Sequence, residues 1–251
     1  MHKGIYILPN LLTTAALFAG FYATVAAIDG NFRRAGIAIF VAMVMDGLDG
    51  RVARLTSTQT DFGKEYDSLS DMVSFGLAPA IVVYQWGVAR ISEYGWEWGR
   101  LGWLAAFFYA VAAALRLARF NTRASSKGDR YFEGLPSPSA AAVVAGLVWL
   151  GTKLDVSGIV ALGLGFFLTA AAGALMVSRF PYYSFKELDL GGRIPFGYVL
   201  LIPLVFVLIG LNPPGVLFFL FLLYAISGPI LWLWRWRRGR RERETLDPAQ
   251  E

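Results

Sequence analysis

Four aspartates fall within one 26-residue window of a charge-poor chain: Asp46, Asp49, Asp67 and Asp71. All four lie in or against apolar segments. There a charge costs several kcal/mol unless it lines a polar cavity and meets a partner. At about 100° per residue, Asp46, Asp49, Gly50 and Ala53 fall within an arc of about 100° on one side of a helix. Asp67 and Asp71 are four apart and stack on one face at the start of the next. The stretch between, Thr56 to Gly63, is short enough to make the two helices antiparallel neighbours, so the two pairs meet near one end. Four carboxylates brought together repel, and some take up protons unless a cation neutralises them. Hard divalent ions with all-oxygen ligands, Mg²⁺ or Mn²⁺, suit such a cluster, which has room for two. Paired ions commonly clamp a phosphoryl group during displacement. Gly50 and Ala53 leave space for a bulky group to approach the helix backbone, although small residues also permit close helix packing.

The remaining composition narrows the chemistry. The chain has no Cys, and its one His is His2. Disulfides, thiolate metal sites and thiol nucleophiles are excluded, and imidazole catalysis is a poor expectation. Carboxylates, hydroxyls, Arg, Lys and metals remain. Gly163 and Gly165 sit inside a hydrophobic segment, without the strand–turn–helix setting of a dinucleotide fingerprint. Asp46-Gly-Leu-Asp-Gly lacks the alternate-position ligands of an EF-hand loop.

The elements that must position these residues are membrane helices. Of 251 residues, 56% are hydrophobic and 16% charged, against about 25% charged in an ordinary soluble domain. Mean hydropathy is +0.52. Apolar runs of roughly 20 residues, enough to cross a hydrocarbon core of about 30 Å, recur near Leu8–Ile28, Gly36–Leu55, Ser68–Val88, Leu101–Ala118, Ser139–Leu150, Val156–Val177, Ile194–Leu211 and Val216–Trp234. The expected fold is therefore all-α: a polytopic integral membrane protein of about eight transmembrane helices, forming a single membrane-embedded domain over 1–251. Lys and Arg total 23 against 18 Asp and Glu. With eight spans, the side holding both termini and the even-numbered loops has eighteen of the Lys and Arg and the other side five. That bias places both termini and the aspartate window in the cytoplasm, although Arg33 and Arg34 oppose it. The six Arg of Arg235–Arg243, next to Trp232, Trp234 and Trp236, read as a topology signal or a lipid-headgroup contact. They do not read as a nucleic-acid surface.

The window also resembles a known family. Asp46-x-x-Asp49-Gly50-x-x-Ala53-Arg54, an eight-residue spacer, then Gly63-x-x-x-Asp67-x-x-x-Asp71 is similar to the signature of the CDP-alcohol phosphotransferases. Further strings resemble its phosphatidylserine synthase branch: Pro9-Asn-Leu-Leu-Thr13, Asp67-Ser-Leu-Ser-Asp-Met-Val-Ser-Phe-Gly-Leu-Ala-Pro79, Arg116-Leu-Ala-Arg-Phe-Asn121 and Phe132-Glu-Gly-Leu-Pro-Ser-Pro-Ser139. The resemblance covers about 5–210 and implies a six-helix core with the catalytic motif at 46–71. Beyond it lie an extra C-terminal helix at 211–236 and a polybasic cytoplasmic tail at 237–251. It implies one Mg²⁺ or Mn²⁺ at Asp46, Asp49 and Asp67, a second at Asp46, Asp67 and Asp71, and Asp71 as general base. The CDP-diacylglycerol site would be lined by Gly50, Ala53, Arg54, Thr60 and Gly63, with Pro9 and Asn10 reaching it from the first span. The guanidinium fork of Arg54 suits diphosphate oxygens. The implied reaction transfers the phosphatidyl group of CDP-diacylglycerol to L-serine, releasing CMP, in the inner membrane of a prokaryote and in a homodimer.

Arg116, Arg119 and Arg123 form a cationic cluster on the aspartate side. They are candidates for the serine carboxylate, or positive-inside anchors. Asn121 orients the amino acid, caps the helix or forms a turn. Gly134-Leu-Pro-Ser-Pro reads as a turn opening the fifth span, with Pro138 in the first helical turn. Two rivals remain. One keeps the chemistry but takes glycerol phosphate, inositol phosphate or choline. The other is a cation- or proton-coupled transporter, disfavoured because the two halves lack the matching broken spans of inverted repeats.

Overall fold

The computed structural model describes residues 7–87, 96–122, 131–156, 158–183 and 196–246. Within them the chain forms α1 (Ile7–Ile28), α2 (Phe32–Leu55), α3 (Asp61–Asp71), a π-helical segment (Met72–Leu77), α4 (Ala78–Gly87), α5 (Trp96–Thr122), α6 (Ser137–Lys153), α7 (Gly158–Val177), α8 (Phe196–Leu211) and α9 (Pro213–Leu246). Strands β1 (Tyr131–Glu133) and β2 (Pro181–Tyr183) pair antiparallel, with Glu133 opposite Pro181. Since α3, the π segment and α4 run on without a break, every expected span corresponds to a helical rod as far as it is described. Helices over Leu8–Ile28, Arg100–Thr122, Gly158–Val177 and Pro213–Arg238 are each long and apolar enough to cross a membrane. Phe18, Phe21, Phe167 and Phe206 are exposed on rods of this kind, as lipid-facing side chains are. The protein is an all-α polytopic membrane protein.

Local chemistry sets the rod ends. Gly30, at φ +74°, ends α1, and the Asn31 side chain accepts from the Arg34 backbone N–H to start α2. Thr60 caps α3 through the Gly63 N–H at 3.0 Å. Pro136 precedes α6, whose first turn holds Pro138, as the turn reading expected. Two boundaries differ from expectation. The third rod begins at Asp61, seven residues earlier than its apolar run, so Asp67 and Asp71 lie in its second and third turns. The last helix continues to Leu246, because Arg and Glu are good helix formers. Its basic run is therefore a helical extension up to that residue, and 247–251 lie outside the described residues.

The core is built largely from small side chains. Ala19, Ala23, Ala26 and Ala27 of α1 face Ala35, Ala38 and Ala42 of α2, all buried. Lipid tails are as apolar as Leu, so helices in a bilayer associate by close approach rather than by hydrophobic burial. A Cβ on Gly20 would stand 2.7 Å from the Ser74 Cα, so α1 and the π segment touch backbone to backbone there.

Two prolines shape the rods. Pro79 has no N–H for the carbonyl four residues back, Phe75, and its ring crowds that carbonyl. The helix widens to π geometry just before it, and the buried Tyr109 hydroxyl of α5 donates to Phe75 O at 3.0 Å. Pro229 does the same to Ala225 in α9, where the Tyr182 hydroxyl of β2 donates to Ala225 O at 2.8 Å.

Candidate active site

The end of α2 and the first turns of α3 bring the carboxylates together as their phases require. Asp46, Asp49 and Asp67 each present an oxygen within 4.8 Å of the others. Asp71, one turn beyond Asp67, is hydrogen-bonded to Asp46 and lies in the electrostatic field of Asp67 and Asp49. Asp49 is the most enclosed, at 4% exposure. The Thr13 hydroxyl of α1 donates to its Oδ2 at 2.6 Å. Two serines on the adjoining face fix α3 and the π segment to α1: Ser70 donates to Thr13 O at 3.2 Å and Ser74 to Ala16 O at 3.1 Å. The chain thus presents hard oxygen donors, all carboxylate, within one small volume. The set fits Mg²⁺ or Mn²⁺ and lacks the nitrogen and sulfur donors that softer metals prefer.

The residues expected on the nucleotide side lie on α1, the last turns of α2 and the start of α3. Nη1 of the exposed Arg54 lies 3.5 Å from where a Gly50 Cβ would stand, an ordinary contact distance, so the guanidinium lies beside Gly50. Arg54 also acts electrostatically on Asp49. Gly63 has Thr60 Oγ1 and Asn10 Oδ1 as its nearest side-chain neighbours, at 3.1 and 3.5 Å from the same virtual atom. Asn10, Thr60 and Gly63 therefore converge from two helices. Pro9 is buried and Ala53 half-buried.

The basic candidates separate. Arg119 forms an ion pair with Glu133 of β1, which ties α5 to the small sheet. Asn121 Nδ2 donates to Ser68 Oγ at 2.8 Å, beside Asp67, and holds α5 against α3. Arg116 donates through Nη1 to Ser137 Oγ at 3.1 Å and lies in the electrostatic field of Asp71, Tyr109 and Tyr224. Its Nε is buried without a hydrogen-bond partner among the described residues. Arg123 lies outside the described residues.

Residue-type reasoning passed over Thr13, Ser68 and Ser137. Each sits inside a string already singled out, and each acts as a hydrogen-bonding partner to a charged or amide group that was named. Tyr224 carried no signal. It reaches this end because Tyr182 of β2 packs its ring against Gly228 and, at 5.6 Å between centroids, against Tyr224 itself. Its hydroxyl donates to Tyr183 O at 3.1 Å.

Comparison with known proteins identifies relatives of the chain. The profile of the CDP-alcohol phosphatidyltransferase family matches residues 6–178, which include every aspartate of the cluster. The chain is 35% identical over 231 residues to the CDP-diacylglycerol–serine O-phosphatidyltransferase of Helicobacter pylori strain J99, covering 91% of this chain and 92% of that one. It is 34% identical over 197 residues to the enzyme of the same name in Methanocaldococcus jannaschii, covering 78% and 82%. It is 33% identical over 177 residues to the archaetidylserine synthase of Methanothermobacter thermautotrophicus, covering 70% and 69%.

Proposed function

The chain belongs to the CDP-alcohol phosphatidyltransferase family, and we propose that it passes the phosphatidyl group of CDP-diacylglycerol to the hydroxyl of L-serine, giving phosphatidylserine and CMP. One observation carries the choice of acceptor. Arg116, with a buried Nε that has no partner among the described residues, stands in the field of Asp71. An amino acid whose carboxylate meets that guanidinium brings its hydroxyl toward a carboxylate able to take the proton. Choline has no anionic group for the site, and the phosphate of glycerol phosphate or inositol phosphate is larger and more highly charged.

In this reading Asp71 accepts the serine hydroxyl proton at its carboxylate oxygen. The freed oxygen forms a bond to the lipid-side phosphorus, and the bond from that phosphorus to the CMP oxygen breaks. Arg54, with Gly50, Ala53, Thr60, Gly63, Asn10 and Pro9, holds and orients the CDP moiety. Arg116 orients the serine, and Arg119, Asn121 and Arg123 support that wall. Asp46, Asp49 and Asp67 would hold one Mg²⁺ or Mn²⁺, and Asp46, Asp67 and Asp71 would hold a second. When bound, the metal supplies positive charge that offsets the diphosphate and stabilises charge developing at phosphorus. The excess of Lys and Arg on the aspartate side supports a site at the cytoplasmic face of the membrane, and the family resemblance supports a prokaryotic inner membrane and a homodimer as the working unit.

The test is CMP release by the purified protein from CDP-diacylglycerol, with serine, glycerol phosphate, inositol phosphate and choline offered separately. Serine-dependent CMP release, abolished by chelator and restored by Mg²⁺ or Mn²⁺, is the expected outcome. Release with another alcohol and none with serine refutes the assignment.

A further inference from the structure

A second polar site lies at the other end of the bundle. A cavity of about 330 Å³ opens among the start of α2, the end of α6 and the start of α9, lined by Arg33, Trp149, Thr152, Lys153, Pro213 and Pro214. Arg33 precedes Asp46 by thirteen residues on α2, and Lys153 follows Ser137 by sixteen on α6. At about 1.5 Å per residue Arg33 is roughly 20 Å from Asp46 and Lys153 roughly 24 Å from Ser137, so the cavity lies at the opposite end of the bundle.

Its lining is positively charged, with Asp29 and Asp155 the nearest carboxylates along the chain. The Arg33 side chain makes no hydrogen bond or ion pair among the described residues. The Lys153 ammonium donates to the neutral Asn212 Oδ1 at 2.8 Å. No carboxylate lines the cavity. These cations are two of only five Lys and Arg on a face that the distribution of charge otherwise leaves poor in them. Beside them stand an indole and two prolines, and the flanking Leu154 and Leu211 are 64% and 76% exposed. Positive charge, an apolar wall and adjoining bare leucines together match an amphiphilic anion. The volume is within the range of small-molecule sites, about 300–1,000 Å³.

We propose that this cavity binds the phosphate of a phospholipid from the leaflet opposite the aspartates, with its acyl chains along the exposed leucines. The recognised chemistry is a phosphate anion, and a free phosphate ion is its other possible source. The site is independent of the transferase reading, because none of its residues belongs to the catalytic end.

The test uses the full-length protein, delipidated in detergent. It is titrated with phosphatidylglycerol, with diacylglycerol of the same chains, and with inorganic phosphate. Melting temperature and native mass spectrometry of adducts are read for the wild type and for R33Q/K153Q. The expected result is saturable stabilisation by phosphatidylglycerol and not by diacylglycerol, with about 30-fold weaker binding in the double variant, roughly fivefold per basic residue. CMP release should be unchanged in that variant. Should the double variant fail to fold, R33Q and K153Q singly are expected to weaken binding about fivefold each. Equal binding by the variants, or equal stabilisation by diacylglycerol, overturns the site. Stabilisation by inorganic phosphate alone, lost in the double variant, overturns the lipid as occupant and leaves a free-anion site. A wild type without CMP release but with these lipid responses tells against the transferase reading only.

Discussion

The two ends of the helix bundle are joined by different forces. At the aspartate end the helices are linked by side-chain polar contacts: Thr13 to Asp49, Ser70 to the Thr13 carbonyl, Asn121 to Ser68, Arg116 to Ser137 and Arg119 to Glu133. At the other end, the Lys153–Asn212 hydrogen bond aside, they are joined by shape. Trp149 lies on Gly36, Trp86 is set into Gly151, and Gly87 meets the backbone of Ala161 and Leu162. Interhelical hydrogen bonds in a bilayer average only about 0.6 kcal/mol each. The polar end therefore gains modest stability from its bonds and a great deal of geometric definition. The close contacts of the other end fix the spacing of the rods and tolerate little change in volume. Substitutions at the first end should act on chemistry and those at the second on folding.

Asp71→Asn should break the comparison most sharply if it is wrong. It keeps the volume and removes the proton acceptor, so kcat for serine-dependent CMP release should fall about 10²–10⁴-fold, with melting temperature nearly unchanged. A large loss of stability would mean that the carboxylates hold the bundle together. Arg116→Gln comes next. It removes a charge-assisted contact worth about 1.5–3 kcal/mol, so KM for serine should rise roughly 10–100-fold while KM for CDP-diacylglycerol stays within about twofold; equal rises would place Arg116 outside the acceptor pocket. Gly151→Val has the smallest effect on catalysis. Its side chain runs into the buried Trp86 ring, and overpacking of this kind costs about 1–3 kcal/mol. Thermal unfolding should move down, and the KM of the surviving folded protein for serine should not move.

The aspartate cluster was legible in the sequence because its information is local. Three- and four-residue spacings on a helix define a face, and a short connection brings two faces together, so Asp46, Asp49, Asp67 and Asp71 were placed without tertiary knowledge. The start of the third rod was not, because Asp61-Phe-Gly-Lys-Glu is too polar to register as a span although Thr60 caps it as a helix. Arg119 shows the same limit from the other side. Its charge made it a substrate candidate, and only the placement of β1 reveals Glu133 as its partner. The π-helical segment was equally hidden. Pro79 was visible in the sequence, but the hydroxyl that answers it comes from Tyr109, thirty residues away on another helix.

That last pairing makes two distant positions thermodynamically dependent. With Pro79 present, Tyr109→Phe strands a buried carbonyl at an expected cost of about 1–3 kcal/mol. With Pro79→Ala, a backbone N–H is available for that carbonyl, and the same loss of hydroxyl should cost much less. A double-mutant cycle read by thermal unfolding should therefore be far from additive, and additivity would mean the two residues act separately. Tyr182 and Pro229 stand in the same relation. Each proline thus ties its helix to a particular neighbour, and a change at either member of a pair is tolerated best when the other changes with it.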